Sequence, residues 1–141
     1  MTIQTPGTST LGEAIVEQIA EAVIYANREG RIERWNTAAA QMFGFSAAEA
    51  IGQSLDMMIP EHLRTAHWRG FDAAVSSGAL RLNGRATLTR GLHKSGRKLY
   101  IEMSFALVRD DAAAVLGSVA VARDVTERIE SEKAARSAAP R

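Results

Sequence analysis

The chain contains 141 residues with a mass of 15.2 kDa, which is enough for one domain. Its 17 Lys and Arg residues nearly balance 16 Asp and Glu residues, and the resulting net charge of +1 argues against nucleic acid or an anionic membrane as partner. Cysteine is absent, which excludes disulfides, thiolate metal sites and cofactors attached through a cysteine. The sequence has no secretory signal pattern and no apolar run near the roughly 20 residues of a membrane span, so we expect a cytoplasmic domain.

The N-terminal part combines a polar leader with an amphipathic helix. Residues 1–9 are mostly polar and are expected to be disordered. Thr10 and a glutamate three residues later then have the spacing of a helix-capping pair. The apolar residues that follow at helical intervals include Leu11, Ile15 and Ile19. This pattern predicts a helix over residues 10–20 with one apolar face.

The rest of the chain alternates between strand and helix patterns. Predicted strands lie at about 22–26, 31–36, 85–93, 98–108 and 115–123. Short helices interrupted by glycine follow the second strand, and a longer helix at about 61–77 begins after Pro60 and ends at Gly78. This order predicts an α+β domain over residues 21–125, with a five-stranded antiparallel sheet and helices on one face. Residues 126–141 are expected to form an exit helix and a tail.

Four phrases in this order resemble PAS sensor domains. They lie at residues 27–40, 43–52, 93–96 and 124–128. In the last two the family usually has Lys-Asp-Gly and Asp-Ile-Thr, where this chain has Lys-Ser-Gly and Asp-Val-Thr. The resemblance implies a PAS fold with flanking helices at both ends. It also implies a sensory module without enzymatic activity of its own, which passes a signal to an effector domain such as a histidine kinase.

The predicted helix at 61–77 carries a histidine on its apolar face. The residues of that face are Leu63, Ala66, His67, Gly70, Phe71, Ala74 and Val75. A buried neutral imidazole needs partners for both nitrogens, and no carboxylate on this face is spaced to supply one. An iron ion would satisfy one nitrogen, and the small residues Ala66, Gly70 and Ala74 would allow a flat macrocycle to approach the helix.

Residues 59–67 further resemble the heme-binding PAS domains of FixL-type oxygen-sensing kinases and of the direct oxygen sensor phosphodiesterase. In that subgroup the histidine at the place of His67 is the proximal ligand of heme b. The resemblance therefore implies that His67 holds heme iron and that the domain responds to a diatomic gas, O2, CO or NO. On the helix side, Leu63, Gly70 and Phe71 are expected to contact the heme.

The opposite side of the expected heme pocket departs from that subgroup. The sensors place an Arg on the next strand as hydrogen-bond donor to oxygen, and the matching position here is Thr87. Arg85 stands at the place of the phosphodiesterase's distal Met, and both residues are predicted to face the same side of the strand. Met103 and Phe105, on the following strand, are expected to wall the pocket, and Met103 is itself a possible iron ligand.

Two alternatives stay open from the residues alone. One is a heme-free interaction module, in which His67 is structural and the helix bearing Leu11, Ile15 and Ile19 forms a homodimer. The other is a module that binds flavin such as FAD without a covalent bond, served by Trp35, Asn36 and Trp68. The remaining histidines, His62 and His93, are expected to be solvated surface residues.

Overall fold

The structure is a computed structural model that describes residues 10–80 and 84–138. The predicted leader at 1–9 and residues 139–141 of the predicted tail lie outside this part of the chain. The helices are α1 (Leu11–Gln18), α2 (Thr37–Phe43), α3 (Ala47–Ala50), α4 (Arg64–Ser77) and α5 (Thr126–Ala138). The strands are β1 (Ala22–Asn27), β2 (Ile32–Trp35), β3 (Thr87–Leu92), β4 (Lys98–Arg109) and β5 (Val115–Asp124). Short 3₁₀ helices at Leu55–Met58 and Glu61–Leu63 precede α4.

All five strands form one antiparallel sheet in the order β2-β1-β5-β4-β3. The last strand in sequence, β5, is therefore the central one, and it pairs with β1 on one side and with β4 on the other. This arrangement confirms the predicted α+β architecture. None of the helices in the described part of the chain combines the length and apolar composition that crossing a bilayer requires.

The core lies between the sheet and the helices that cover its inner face. Leu99, Ile101 and Met103 are buried at alternate positions of β4, as the period-two pattern predicts. The Phe43 ring of α2 is fully buried and lies 5.4 Å from the Trp35 ring, measured between centroids. Burial of each large apolar side chain stabilises the fold by roughly 1.5–3 kcal/mol.

The side chain of Asn36 connects helix α1 to the start of the sheet and to helix α2. Its side chain is 1% exposed. The Oδ1 atom accepts hydrogen bonds from the backbone N–H of Val23 at 2.9 Å and from that of Ala39 at 3.0 Å. The Nδ2 atom donates to the carbonyl oxygens of Val16 at 2.9 Å and Glu21 at 3.0 Å. One amide thus caps α2, fixes the start of β1 and satisfies carbonyls at the end of α1.

The structure corrects the predicted boundaries of two elements. The third strand begins at Thr87 instead of Arg85, because the pairing of Thr87 with Met103 is the first that β3 makes with β4. The predicted helix at 61–77 is divided, and α4 proper begins only at Arg64. The turn before it is tighter than an α-helix because the N–H of Leu63 donates to the carbonyl oxygen of Pro60 at 2.9 Å.

Hydrogen bonds to one residue of β4, Tyr100, attach the exit helix α5 to the sheet. The Tyr100 carbonyl accepts from the N–H of Val125 and its N–H donates to Oγ1 of Thr126, both at 2.9 Å. Its hydroxyl contacts the Lys133 ammonium group. Beyond this point α5 buries little, since Ile129 is only half-buried.

The prediction that His93 is a plain surface residue is wrong. The residue is half-buried, and its Nδ1 lies 2.9 Å from Oγ of Ser95 within the hairpin turn. Its ring lies against Gly44, where a Cβ atom would be 2.6 Å from the imidazole. Gly44 also has φ +81°, so this position requires glycine for two independent reasons.

We expect Asn36→Ala to lower the free energy of unfolding by about 4 kcal/mol, because it leaves buried backbone donors and acceptors without partners. Urea denaturation measures the loss. Asn27→Ala is the control, since the Asn27 side chain bonds only at the exposed β1–β2 hairpin: it accepts from the N–H groups of Glu29 and Arg31 and donates to the Glu33 carboxylate. A loss in Asn36→Ala no larger than that in the control would contradict the central role of Asn36.

Candidate functional site

Helix α4 covers the sheet closely along only half of its length. Its C-terminal half is packed down, with Phe71, Ala74 and Val75 buried. Nearer the N-terminus, Ala66 and Gly70 lie on the same face but are exposed. This half of the helix therefore stands above open space.

The first cavity under α4 has a volume of about 300 Å³. It lies between the 3₁₀ segments, the start of α4 and strands β3 and β4. Its lining residues are Leu55, Met58, Ile59, Leu63, Ala66, His67, Thr87, Thr89, Arg90, Ile101, Met103 and Phe105. Most of these side chains are apolar, as in pockets that bind small molecules.

The second cavity lies further along α4 and has a volume of about 410 Å³. Its lining residues are Ala66, His67, Gly70, Phe71, Ala74, Val75, Leu80, Gly84, Phe105, Leu107 and Ser118. Ala66, His67 and Phe105 line both cavities. His67 on the helix and Phe105 on the sheet thus mark the place where the cavities meet.

The His67 imidazole is surrounded by aromatic rings and lacks polar partners. Its centroid lies 4.8 Å from that of the Trp68 ring and 6.0 Å from that of Phe71. Nδ1 is buried and has no hydrogen-bond partner among the described residues. Burial lowers the pKa of His67 below its usual value, and the carboxylates of Asp56 and Asp72 oppose this effect only in part. The site therefore favours a neutral imidazole, which is the form that binds metal ions.

Trp68 is one of the aromatic rings beside His67, and contacts at both ends of its indole fix its position. Its Nε1 donates to Oδ1 of Asp56 at 2.7 Å. The other end of the indole lies against Gly30, where a Cβ atom would be 2.2 Å from the ring. Because Asp56 already accepts this bond from Trp68, its carboxylate influences the pKa of His67 by its charge and not by a hydrogen bond.

The structure brings seven of the eight predicted site residues to the two cavities. Leu63, Thr87 and Met103 line the first, Gly70 and Phe71 line the second, and His67 and Phe105 line both. Arg85 differs: it is exposed, precedes β3 and lines neither cavity. The prediction that Arg85 and Thr87 face the same side of one strand is wrong, because residue 85 precedes the strand.

The groups considered for flavin are already engaged in the fold. The Trp35 Nε1 donates to the carbonyl oxygen of Phe45 at 2.9 Å, and the Trp68 Nε1 donates to Asp56. The Asn36 amide is occupied on both its oxygen and its nitrogen. These three side chains therefore offer no free polar group to a ligand.

Two residues that line the cavities, Ile101 and Leu107, were not among the predicted site residues, although the alternating pattern of β4 indicates them. Ile101 and Leu107 alternate with Met103 and Phe105 along β4, so the same face of the strand carries all four. The 3₁₀ segment Leu55–Met58 and Ser118 had no such signal, because only the tertiary fold brings them to α4.

Comparison with protein families matches the one described as PAS fold over residues 16–130. The chain belongs to the PAS family. The match spans the sheet, α2 to α4 and the start of α5, so the predicted resemblance is confirmed.

Two curated relatives are sensor proteins. The oxygen sensor protein DosP of Escherichia coli is 28% identical over 111 residues, which are 79% of this chain and 14% of DosP. The sensor protein FixL of Bradyrhizobium diazoefficiens is 39% identical over 54 residues, which are 38% of this chain and 11% of FixL. The chain thus corresponds to a small part of either protein. It is a sensory PAS module rather than a catalytic fold.

Solved structures support the same fold. A PAS domain of a protein from Colwellia psychrerythraea superposes with a TM-score of 0.71 at 23% identity, covering 82% of this chain and 94% of that one. An RNA-binding light-oxygen-voltage receptor superposes with a TM-score of 0.68 at 22% identity, covering 94% of this chain and 39% of the receptor. At these identities the likeness concerns the fold alone.

Without added cofactor, we expect His67 to make the domain less stable as the pH falls below about 6.5. The unfolded imidazole takes up a proton near that pH, while the folded one does so only at lower pH, so unfolding is coupled to proton uptake. Urea denaturation at pH 7.5 and 5.5 measures the effect. His67→Gln should reduce the difference between the two pH values, whereas His62→Gln, at an exposed position, should leave it as in the wild type. Equal pH dependence in all three proteins would contradict this prediction.

Proposed function

We propose that this PAS domain binds heme b through His67 and senses a diatomic gas, O2, CO or NO. The observation that carries the proposal is the half-buried His67 imidazole, whose buried Nδ1 has no hydrogen-bond partner among the described residues and which lines two largely apolar cavities. The likeness to an oxygen sensor protein and to FixL supports it. When bound, heme supplies an iron atom with one coordination position for the histidine and one for the gas.

The residues around His67 fit a flat, largely apolar group. The two cavities meet beside the imidazole, so a planar molecule can extend from one to the other. Gly70 leaves room above it, because a Cβ atom added there would have no neighbour within 4 Å. A neutral imidazole held by the ring of Trp68 is suited to act as the metal ligand.

The other predicted site residues would line this group and exclude water from it. Leu63 and Phe71 would cover it from the helix side, and Met103 and Phe105 from β4. Thr87 provides a hydroxyl group in the first cavity, at the position where the resembling sensors have an Arg. Arg85 stays outside this pocket, and the charged residue that lines the first cavity is instead Arg90.

The signal would leave the domain through its flanking helices. Gas binding would alter the contacts of β4 and β5, and both strands lead to α5 through Tyr100 and Val125. We propose that α5 continues to an effector domain such as a histidine kinase.

The exposed side of α1 supports a homodimer. Leu11 and Ile15 of α1 and Ile19, the C-cap residue directly after it, recur at intervals of four residues and are 77%, 53% and 39% exposed. An apolar stripe of this kind is typical of a helix that packs against a partner. The same stripe supports the second candidate function, a heme-free module whose role is dimerisation.

Purification with added heme tests the main proposal. We expect a Soret absorption band corresponding to one heme per chain, and we expect His67→Ala to abolish it. His62→Ala is the matched control, because it removes an exposed histidine close by and should keep the band. Absence of a Soret band in the wild type, or an unchanged band in His67→Ala, would refute heme binding through His67.

Light scattering after gel filtration tests the dimer. We expect twice the chain mass of 15.2 kDa for the wild type and the single mass for Ile15→Asp, because a charge in the stripe opposes burial. Ile51→Asp is the control, since Ile51 is 43% exposed and lies outside α1. A dimer that persists in Ile15→Asp would exclude the α1 stripe as its interface.

A further inference from the structure

A hollow lies outside the two cavities under α4, between the 3₁₀ segment Glu61–Leu63 and the edge strand β3. Its volume is about 320 Å³. Its lining residues are His62, Leu63, Leu88, Thr89, Arg90 and Tyr100. Leu63, Thr89 and Arg90 also line the first cavity, so these three residues form the wall between the two spaces.

The lining of this hollow suits a small molecule that is partly apolar and partly anionic. Leu88 is 53% exposed, so it offers an apolar surface to an occupant together with Leu63. His62 and Arg90 supply N–H donors, and Thr89 and Tyr100 supply hydroxyl groups. None of the six lining residues is acidic.

Positive charge is concentrated around the ring of Tyr100. Arg90 Cζ lies 5.6 Å from the ring centroid and Lys133 Nζ, on α5, lies 4.6 Å from it. Arg90 forms no ion pair with any residue that the structure describes.

The same charges act on the phenol group of Tyr100. A hydrogen bond from Lys133 lowers the pKa of Tyr100 below its usual value, and the charges of Lys133 and Arg90 add to this effect, against desolvation and the charge of Glu130. The positive potential that favours a phenolate at this place also favours an anionic ligand in the adjoining hollow.

We infer that this hollow binds a small organic carboxylate, with Arg90 paired to the carboxylate group and Leu63 and Leu88 against the apolar part. A guanidinium group presents parallel N–H donors that match the two oxygens of a carboxylate. The apolar surface favours an organic acid over an inorganic anion, which has no apolar part to bury. The bound molecule would lie beside Tyr100, the residue that attaches α5 to the sheet.

Binding of benzoate to protein purified without heme tests this site, followed by the NMR shifts of the backbone amides. Benzamide is the matched probe, because it has nearly the same shape and no charge. We expect benzoate to bind about tenfold more tightly than benzamide, with the largest shifts in β3 and at residues 62 and 63. Inorganic phosphate at the same concentration should not displace benzoate.

Three variants assign the binding to individual residues. Arg90→Gln should weaken benzoate binding about tenfold, the effect of one charge-assisted contact, and leave benzamide binding unchanged. Arg97→Gln is the matched control, since it removes the same charge at an exposed position of the β3–β4 turn and should bind benzoate like the wild type. Leu88→Ser should weaken the binding of both probes, because it removes apolar surface.

The result does not depend on the proposed function, because the site lies outside the cavities proposed for heme and the protein is heme-free throughout. Absence of saturable shifts with benzoate, or shifts confined to residues outside the hollow, overturns the inference. Equal weakening in Arg90→Gln and Arg97→Gln, or displacement of benzoate by phosphate, also overturns it. A preference for benzoate over benzamide that only Arg90→Gln removes supports it.

Discussion

The fold depends on the buried amide of Asn36. Its hydrogen bonds hold the end of α1, the start of β1 and the start of α2 at one point, where water cannot replace a lost bond. The direction of α2 in turn sets the position of Phe43, whose ring packs against Trp35 and lies under Gly91 of β3. A Cβ atom at Gly91 would be 2.2 Å from Cδ1 of Ile101 and 3.1 Å from that ring, so a larger residue there would require the Ile101 side chain to shift.

The cavities exist because α4 is fixed at both ends and raised between them. At its start, Arg64 Nε donates to the carbonyl oxygen of Ile59 at 3.0 Å, and Trp68 is bonded to Asp56. At its end, Phe71 and Val75 are buried in the core. Between Arg64 and Phe71 the helix presents the small residues Ala66 and Gly70 together with His67 to the cavities, so the space beneath it stays open. The candidate site thus depends on residue size as much as on chemistry.

Alternating and helical patterns of apolar residues predicted the strands, the order of elements and the buried face of α4. These features follow from which neighbouring residues in the sequence are apolar. The position of Arg85 could not be predicted in the same way. Whether it belongs to β3 depends on where pairing with β4 begins, which is a property of two distant segments. Ser118 was overlooked for a related reason: a serine between Gly117 and Val119 has no periodic signal, and only the sheet order places it beneath α4.

The central place of β5 limits how a change beneath α4 can reach the exit helix. This strand carries Ser118 and Ala120 on the inner face and leads directly to α5. It is bonded along both sides, to β1 and to β4, so it cannot slide. A shift of one residue would turn every inward side chain to solvent. A signal that travels along β5, as proposed above, would therefore have to take the form of altered strand twist, which would reach α5 through Val125.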